Sequence, residues 1–176
     1  MKSLYSFIVK PLKDRYDNIR QINDNNLIIN TSIEDHRFIS KKAVVVSTPA
    51  AYNTKINTGD ELYIHHNIFR RWYDQKGKER NGSSYFKDDL YFVSPEQIYM
   101  YNLKSHLNYC FIKPIKNQSF LDNRKEQPNV GIVKHTNKAL EAIGITPGTL
   151  ITFTPNSEFE FIIDGERLYC MKSNDI

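Results

Sequence analysis

The chain says much the same thing twice. Phe7-Ile8-Val9-Lys10-Pro11-Leu12-Lys13-Asp14 returns in the second half as Cys110-Phe111-Ile112-Lys113-Pro114-Ile115-Lys116-Asn117. After the first copy come an apolar run Ala43-Val44-Val45-Val46, a turn Ile56-Asn57-Thr58-Gly59-Asp60, a run Glu61-Leu62-Tyr63-Ile64 and a closing segment over residues 87–98. After the second come Val130-Gly131-Ile132-Val133, Ile145-Thr146-Pro147-Gly148, Thr149-Leu150-Ile151-Thr152-Phe153 and a closing segment over residues 161–176. Internal repetition constrains a fold before any residue-level signal does, and here it predicts one small module used twice. It also localises function, because whatever one copy carries and the other lacks is a candidate for the working part.

The repeat divides the 176 residues into a first domain over 1–101 and a second, shortened one over 102–176. Alanine occurs only at positions 43, 50, 51, 139 and 142, while Ile, Tyr, Phe, Val and Thr abound, so the expected class is all-β. Modules of this size bury a modest fraction of their surface, and association into a homo-oligomer is expected. No apolar run approaches the ~20 residues needed to span a bilayer, and the N-terminus leads straight into strand-like sequence, so the chain reads as soluble and cytoplasmic. Cys110 and Cys170 both fall in apolar strand-like runs, where reduced, buried thiols are expected. A net charge of +4 does not by itself announce a nucleic-acid partner.

Within the first copy, the stretch from Ile19 to Ser40 stands apart. It is rich in Asn, Asp, Ser and Thr around an aliphatic triplet, Leu27-Ile28-Ile29. Polar loop chemistry on both sides suggests an exposed excursion, mobile over residues 23–37, that displays three aliphatic side chains. The alternative is a short buried strand.

Taken in order, Lys10-Pro11-Leu12-x-x-Arg15, the Asn-rich excursion with its triplet, Val44-Val45-Val46, and Lys55-Ile56-Asn57-Thr58-Gly59-Asp60-Glu61-Leu62 resemble the GroES family of small co-chaperonins. In the second copy, residues 163–176, with Asp164-Gly165 suited to a type I′ turn, look like that family's closing hairpin and terminal strand. The resemblance implies two tandem, irregular, partly open antiparallel β-barrels, assembly into a homo-oligomeric ring, and a mobile loop that docks on a chaperonin ring. It places Leu27, Ile28 and Ile29 as the chaperonin-binding tripeptide. The implied role is capping the chaperonin while an unfolded client folds, with no cofactor and no catalysis by this chain. Asn25 and Asn26 stand where the family has glycines, and Asn tolerates left-handed backbone. In the second copy the corresponding loop shrinks to residues 117–128 around Phe120-Leu121, so only the first copy is expected to engage the chaperonin. The span from Ser47 to Lys55 is too short for a roof hairpin, as in phage-encoded relatives that adapt a host chaperonin to a viral capsid protein.

Two other classes compete: a virion-assembly protein built on the same barrel, and a nucleic-acid-binding barrel. The latter would use residues 65–82, where Arg70, Arg71, Lys76, Lys78 and Arg80 face only Asp74 and Glu79, with Trp72 and Tyr73 interleaved. The favoured reading of that segment is a solvated hairpin tip whose aromatics pack back on the barrel. His65 and His66, read as adjacent strand residues, should diverge, and no Cys or carboxylate stands at ligand spacing from them, so no metal is expected. Ser83, Ser84, His106 and His135 belong to no nucleophile motif, Asp88-Asp89 reads as a polar turn, and no phosphate-binding glycine loop occurs. The chain is therefore not expected to be an enzyme.

Overall fold

In the computed structural model, residues 2–17, 19–22, 25–28, 35–117 and 125–176 are described, residues 20–22 and 25–28 as backbone only. The strands are β1 (Phe7–Pro11), β2 (Ile19–Ile22), β3 (Asn25–Ile28), β4 (Lys42–Ser47), β5 (Glu61–Ile64), β6 (Arg71–Tyr73), β7 (Glu79–Asn81), β8 (Tyr85–Lys87), β9 (Leu90–Val93), β10 (Ile98–Tyr101), β11 (Lys104–Ser105), β12 (Tyr109–Lys116), β13 (Glu126–His135), β14 (Leu150–Thr152), β15 (Phe159–Ile163) and β16 (Glu166–Lys172). Among the described residues one α-helix, α1 (Lys138–Ala142), and three 3₁₀ turns complete the elements. The chain is mostly β and divides into two compact units, Met1–Asn102 and Leu103–Ile176.

In the first unit, antiparallel strands run in the order β10-β5-β4-β1-β9-β8; in the second the order is β14-β13-β12-β16-β15. Taking β1 with β12, β4 with β13, β5 with β14, β9 with β16 and β8 with β15, five strands keep one order in both. The register agrees residue by residue. Val9 faces Val45, Lys10 faces Val44 and Pro11 faces Ala43, while Ile112 faces Val133, Lys113 faces Ile132 and Pro114 faces Gly131. Each ladder carries an irregularity at the same step, Ile8/Val9 and Phe111/Ile112. On the opposite edge, Phe7, Ile8 and Val9 face Val93, Phe92 and Tyr91, as Cys110, Phe111 and Ile112 face Met171, Cys170 and Tyr169.

The turns that set this register also match. Gly59 (φ +92°) and Gly148 (φ +93°) occupy left-handed backbone that other residues adopt only with strain. Each donates its N–H back across the ladder at 2.8 Å, Gly59 to the Val45 carbonyl and Gly148 to the Val133 carbonyl. A side-chain oxygen closes each turn: Asp60 accepts from the Asn57 N–H at 2.8 Å, and Thr149 from the Thr146 N–H at 3.1 Å. The β8–β9 hairpin turns on Asp88 and Asp89 (φ +49° and +59°), the β15–β16 hairpin on Asp164 and Gly165 (φ +50° and +79°), both with the paired positive φ of a type I′ turn.

Alternation along these strands builds the cores. In the first unit Phe7, Val9, Val45, Leu62, Ile64, Phe69, Tyr91 and Val93 are buried together; in the second Cys110, Ile112, Val133, Leu140, Ile151 and Met171 are. At the matched positions 7/110, 9/112, 45/133, 62/151 and 93/171, one inward face is thus used twice. Helix α1 lies between β13 and β14, in a stretch containing two of the five alanines that the pattern reading had not assigned as helix. Asn137 caps it by accepting from the Ala139 and Leu140 N–H groups at 3.0 and 3.1 Å, and Gly144 (φ +85°) ends it.

The matched positions Ala43 and Gly131 differ in the room they have. A Cβ on Gly131 would stand 2.3 Å from Ile112 Cγ2 and 2.9 Å from the Lys113 carbonyl oxygen. Gly131→Ala is therefore expected to destabilise the second unit by about 1–3 kcal/mol through overpacking, read as a lowered urea midpoint. An unchanged midpoint would show that the β12–β13 ladder can part at that point.

Candidate functional site

The first unit inserts a hairpin between β1 and β4. β2 and β3 pair antiparallel with Ile19 opposite Ile28, Arg20 opposite Leu27, Gln21 opposite Asn26 and Ile22 opposite Asn25. Leu27 and Ile28 thus stand in the second strand of this hairpin, and Ile29 lies outside the described residues. The expectation of a mobile stretch over residues 23–37 falls mostly outside them as well. Ile19, at the base, is half exposed. In the second unit the matching connection is only residues 117–125, and Phe120 and Leu121 lie outside the described residues.

What the strand pattern did not single out is how the hairpin is rooted. Tyr16 and Ile39 form an isolated antiparallel bridge across its base and are both buried. The Asp17 N–H donates to the Phe38 carbonyl at 2.7 Å and the Ser40 N–H to the Arg15 carbonyl at 2.9 Å. The Tyr16 hydroxyl accepts from the Arg71 N–H at 3.0 Å, and the Arg71 guanidinium lies 4.5 Å from the Tyr16 ring centre. Arg15 stands 5.0 Å from the Tyr91 ring centre and donates to the Asn81 side chain at 2.8 Å and the Phe69 carbonyl at 3.1 Å. Arg15 was visible as part of the Lys-Pro motif; Tyr16, a lone aromatic in a polar stretch, was the available signal for the clamp.

Electrostatics at this base are local. Asp35 accepts from the Arg37 guanidinium at 2.7 Å, which holds its carboxyl down at about 2. His65 and His66 do not diverge as strand neighbours would. His65 caps the 3₁₀ turn His66–Phe69 by accepting from the Asn67 N–H, and the turn brings the two rings into a stack 4.4 Å apart, with His36 5.4 Å from His66. Burial, then the neighbouring imidazoles, Lys41 and Arg70, push His66 down to about 4. Burial pushes His65 down too. Stacked rings do not converge on a shared ion, and among the described residues no group of three or more His, Cys, Asp and Glu side chains forms a ligand set. Among these residues no helix is long and apolar enough to cross a membrane.

The other expectation for this region concerned Trp72 and Tyr73. They do not pack back on the sheet: Trp72 is 43% exposed and Tyr73 51%. Pairing of β6 with β7 places Trp72 opposite Arg80, while Arg71 and Asn81, one step away, are held by Tyr16 and Arg15. The anchored face is therefore the one bearing Arg71, and the tryptophan is left on the other.

Two measurements check this description. Tyr16→Phe removes the acceptor of the Arg71 N–H and is expected to cost about 1 kcal/mol in urea unfolding. The histidine cluster gives a pH signature. The unfolded chain takes up a proton on His66 near 6.5 and the folded chain only near 4, so stability present above pH 6.5 is lost as pH falls from 6.5 towards 4. His66→Gln should lessen the fall of the melting temperature across that window, leaving the part contributed by His65 and His135, whose burial also lowers them, while losses below pH 4, from carboxylates such as Asp35, remain.

Comparison with protein-family models and with curated proteins finds no match for this chain.

Proposed function

We propose that the protein is a co-chaperonin of the GroES-like type: a tandem of one partly open β-barrel module that assembles into a ring and caps a chaperonin, with Leu27, Ile28 and Ile29 as the docking tripeptide. The observation that carries this reading is the shared five-strand order and register of the two units, combined with an insertion between the first two core strands that only the first unit has at length. That insertion falls where the resembling family carries its chaperonin-binding loop. Its clamped root at Arg15, Tyr16 and Ile39 supports the same reading, because a docking segment needs a fixed base for its tip to be presented in a defined direction.

The energetics suit such a cycle. Burying each aliphatic side chain contributes on the order of 1.5–3 kcal/mol gross, and ordering of the segment offsets a good part of it. A single segment therefore binds weakly. Several displayed on one ring gain avidity while each contact still releases when nucleotide changes the partner. The ATP chemistry belongs to the chaperonin, and the client is an unfolded protein, a capsid protein in the phage setting. The second unit, with its short connection, braces the assembly.

Ile28→Asp is expected to abolish ATP-dependent association with a purified chaperonin ring, because a carboxylate in an apolar groove loses hydration without gaining a partner. Its melting temperature and oligomer size should match those of the unmodified protein, and Leu121→Asp should leave binding nearly unchanged. Binding by Ile28→Asp at the unmodified level would remove the tripeptide assignment and favour a virion-assembly role.

A further inference from the structure

The β6–β7 hairpin presents a surface that lies outside the proposed docking tripeptide. Its tip is tight and internally satisfied. The Asp74 N–H donates to the Lys78 carbonyl and the Gly77 N–H to the Asp74 carbonyl, with Gly77 in left-handed backbone (φ +72°). The Asp74 carboxylate accepts from the Lys76 and Lys78 N–H groups at 3.0 and 2.9 Å and from Arg80 at 2.9 Å. Glu79, the other acid, is paired with Arg71 at 2.9 Å. Both acidic charges of the hairpin are thereby taken up. Arg70, Lys76 and Lys78 have no ion-pair partner among the described residues, so the exposed surface carries uncompensated positive charge.

Beside this charge lies an aromatic platform. Trp72 lines an open cleft of about 440 Å³ with Asn67, Arg70, Gly82 and Ser83. Gly82 packs close against the backbone here, where a Cβ would meet the Arg70 carbonyl oxygen at 3.1 Å. The Asn67 amide and the Ser83 hydroxyl supply donors and acceptors at the rim. The base is fixed by the Arg15–Asn81 and Tyr16–Arg71 contacts, so the platform is held ready-made. An exposed ring on Trp72, a polar rim and unpaired cations on the same hairpin are what an unpaired nucleotide strand requires: stacking for the base, hydrogen bonds for its edge, and positive charge for the phosphates. An acidic polypeptide would satisfy the cations and leave the indole without a stacking partner.

We propose that the Trp72 face of the β6–β7 hairpin, with the cleft beneath it, binds single-stranded nucleic acid, one base stacked on Trp72 and the phosphates on Arg70, Lys76 and Lys78. This site does not depend on the chaperonin assignment, and either can fail alone.

The chain's one tryptophan is the platform itself, so its emission reports the contact directly. Titrating the full-length protein with a dT15 oligonucleotide at 50 mM NaCl should quench that emission and raise the oligonucleotide's fluorescence anisotropy. Three phosphate contacts predict a log–log salt slope of about −2, so affinity should fall by about fifteen-fold between 50 and 200 mM NaCl. Trp72→Ala should weaken binding by about ten-fold, Trp72→Phe by less. Lys78→Ala should make the slope shallower by about 0.7. Lys78→Ala should melt as the parent does because its side chain is exposed, and the Trp72 variants, whose ring is partly covered, should still be folded at the titration temperature, as their melts will show. Absence of dT15 and rU15 binding at 50 mM NaCl would overturn the proposal. Binding with unquenched tryptophan emission, or equal binding of a duplex or of poly-L-glutamate, would also overturn it, the last by assigning the surface to an acidic protein.

Discussion

Everything in each unit hangs on one strand being enclosed on both edges. β1 runs between β4 and β9, and β12 between β13 and β16, so their N–H and C=O groups have nowhere to go but into two ladders at once. Such a strand cannot slip without turning its whole side-chain set over, which is why Phe7, Val9, Cys110 and Ile112 end on the core side in matched places. Pro11 falls at the end of β1, and Pro114 two residues before the end of β12, near where pairing stops and a missing N–H is tolerated. The connection that follows is free to vary, and it is there that the two units part company.

The differences are insertions on a shared frame. The first unit adds the β2–β3 hairpin after its enclosed strand and the β6–β7 hairpin after β5; the second adds helix α1 between β13 and β14. In the first unit the bases of both insertions meet in one clamp, where Arg15 and Tyr16 leave β1 and reach Asn81 and Arg71. Arginine suits that place because its planar cation lies over a tyrosine ring while still donating hydrogen bonds in its own plane. Both inserted hairpins of the first unit are thereby referred to one point.

Much of the frame was legible beforehand because it rests on local rules. Lys-Pro at a strand end, glycine at Gly59 and Gly148, and Asp164-Gly165 between apolar runs each have few conformations open to them, and the β5 bounds came out as the pattern implied. The expected partly open barrels are not shown, since closure depends on which edges meet and the described strands form open orders. The histidine pair misled because alternation holds only on a strand, and the chain there turns into a 3₁₀ segment whose cap is His65 itself. The exposure of Trp72 was missed for a related reason. Composition reports that an aromatic is apolar, but only the anchoring of its neighbours Arg71 and Asn81 decides which face of the ribbon turns outward.

The two cysteines acquire a use from the register around them. Cys110 stands opposite Met171 and Cys170 opposite Phe111, so the thiols lie on contrary faces of the same pair of strands, both fully buried. Burial pushes Cys110 up to about 12 and also holds Cys170 well above its ordinary value, leaving neither as a thiolate at neutral pH. Facing apart, they are poorly placed to oxidise to each other. Alkylation of either one therefore waits on separation of β12 from its neighbours, and the first unit carries no thiol to confuse the signal. The protein holds, in effect, a chemical clock for the opening of its second unit alone, with one hand on each side of the sheet.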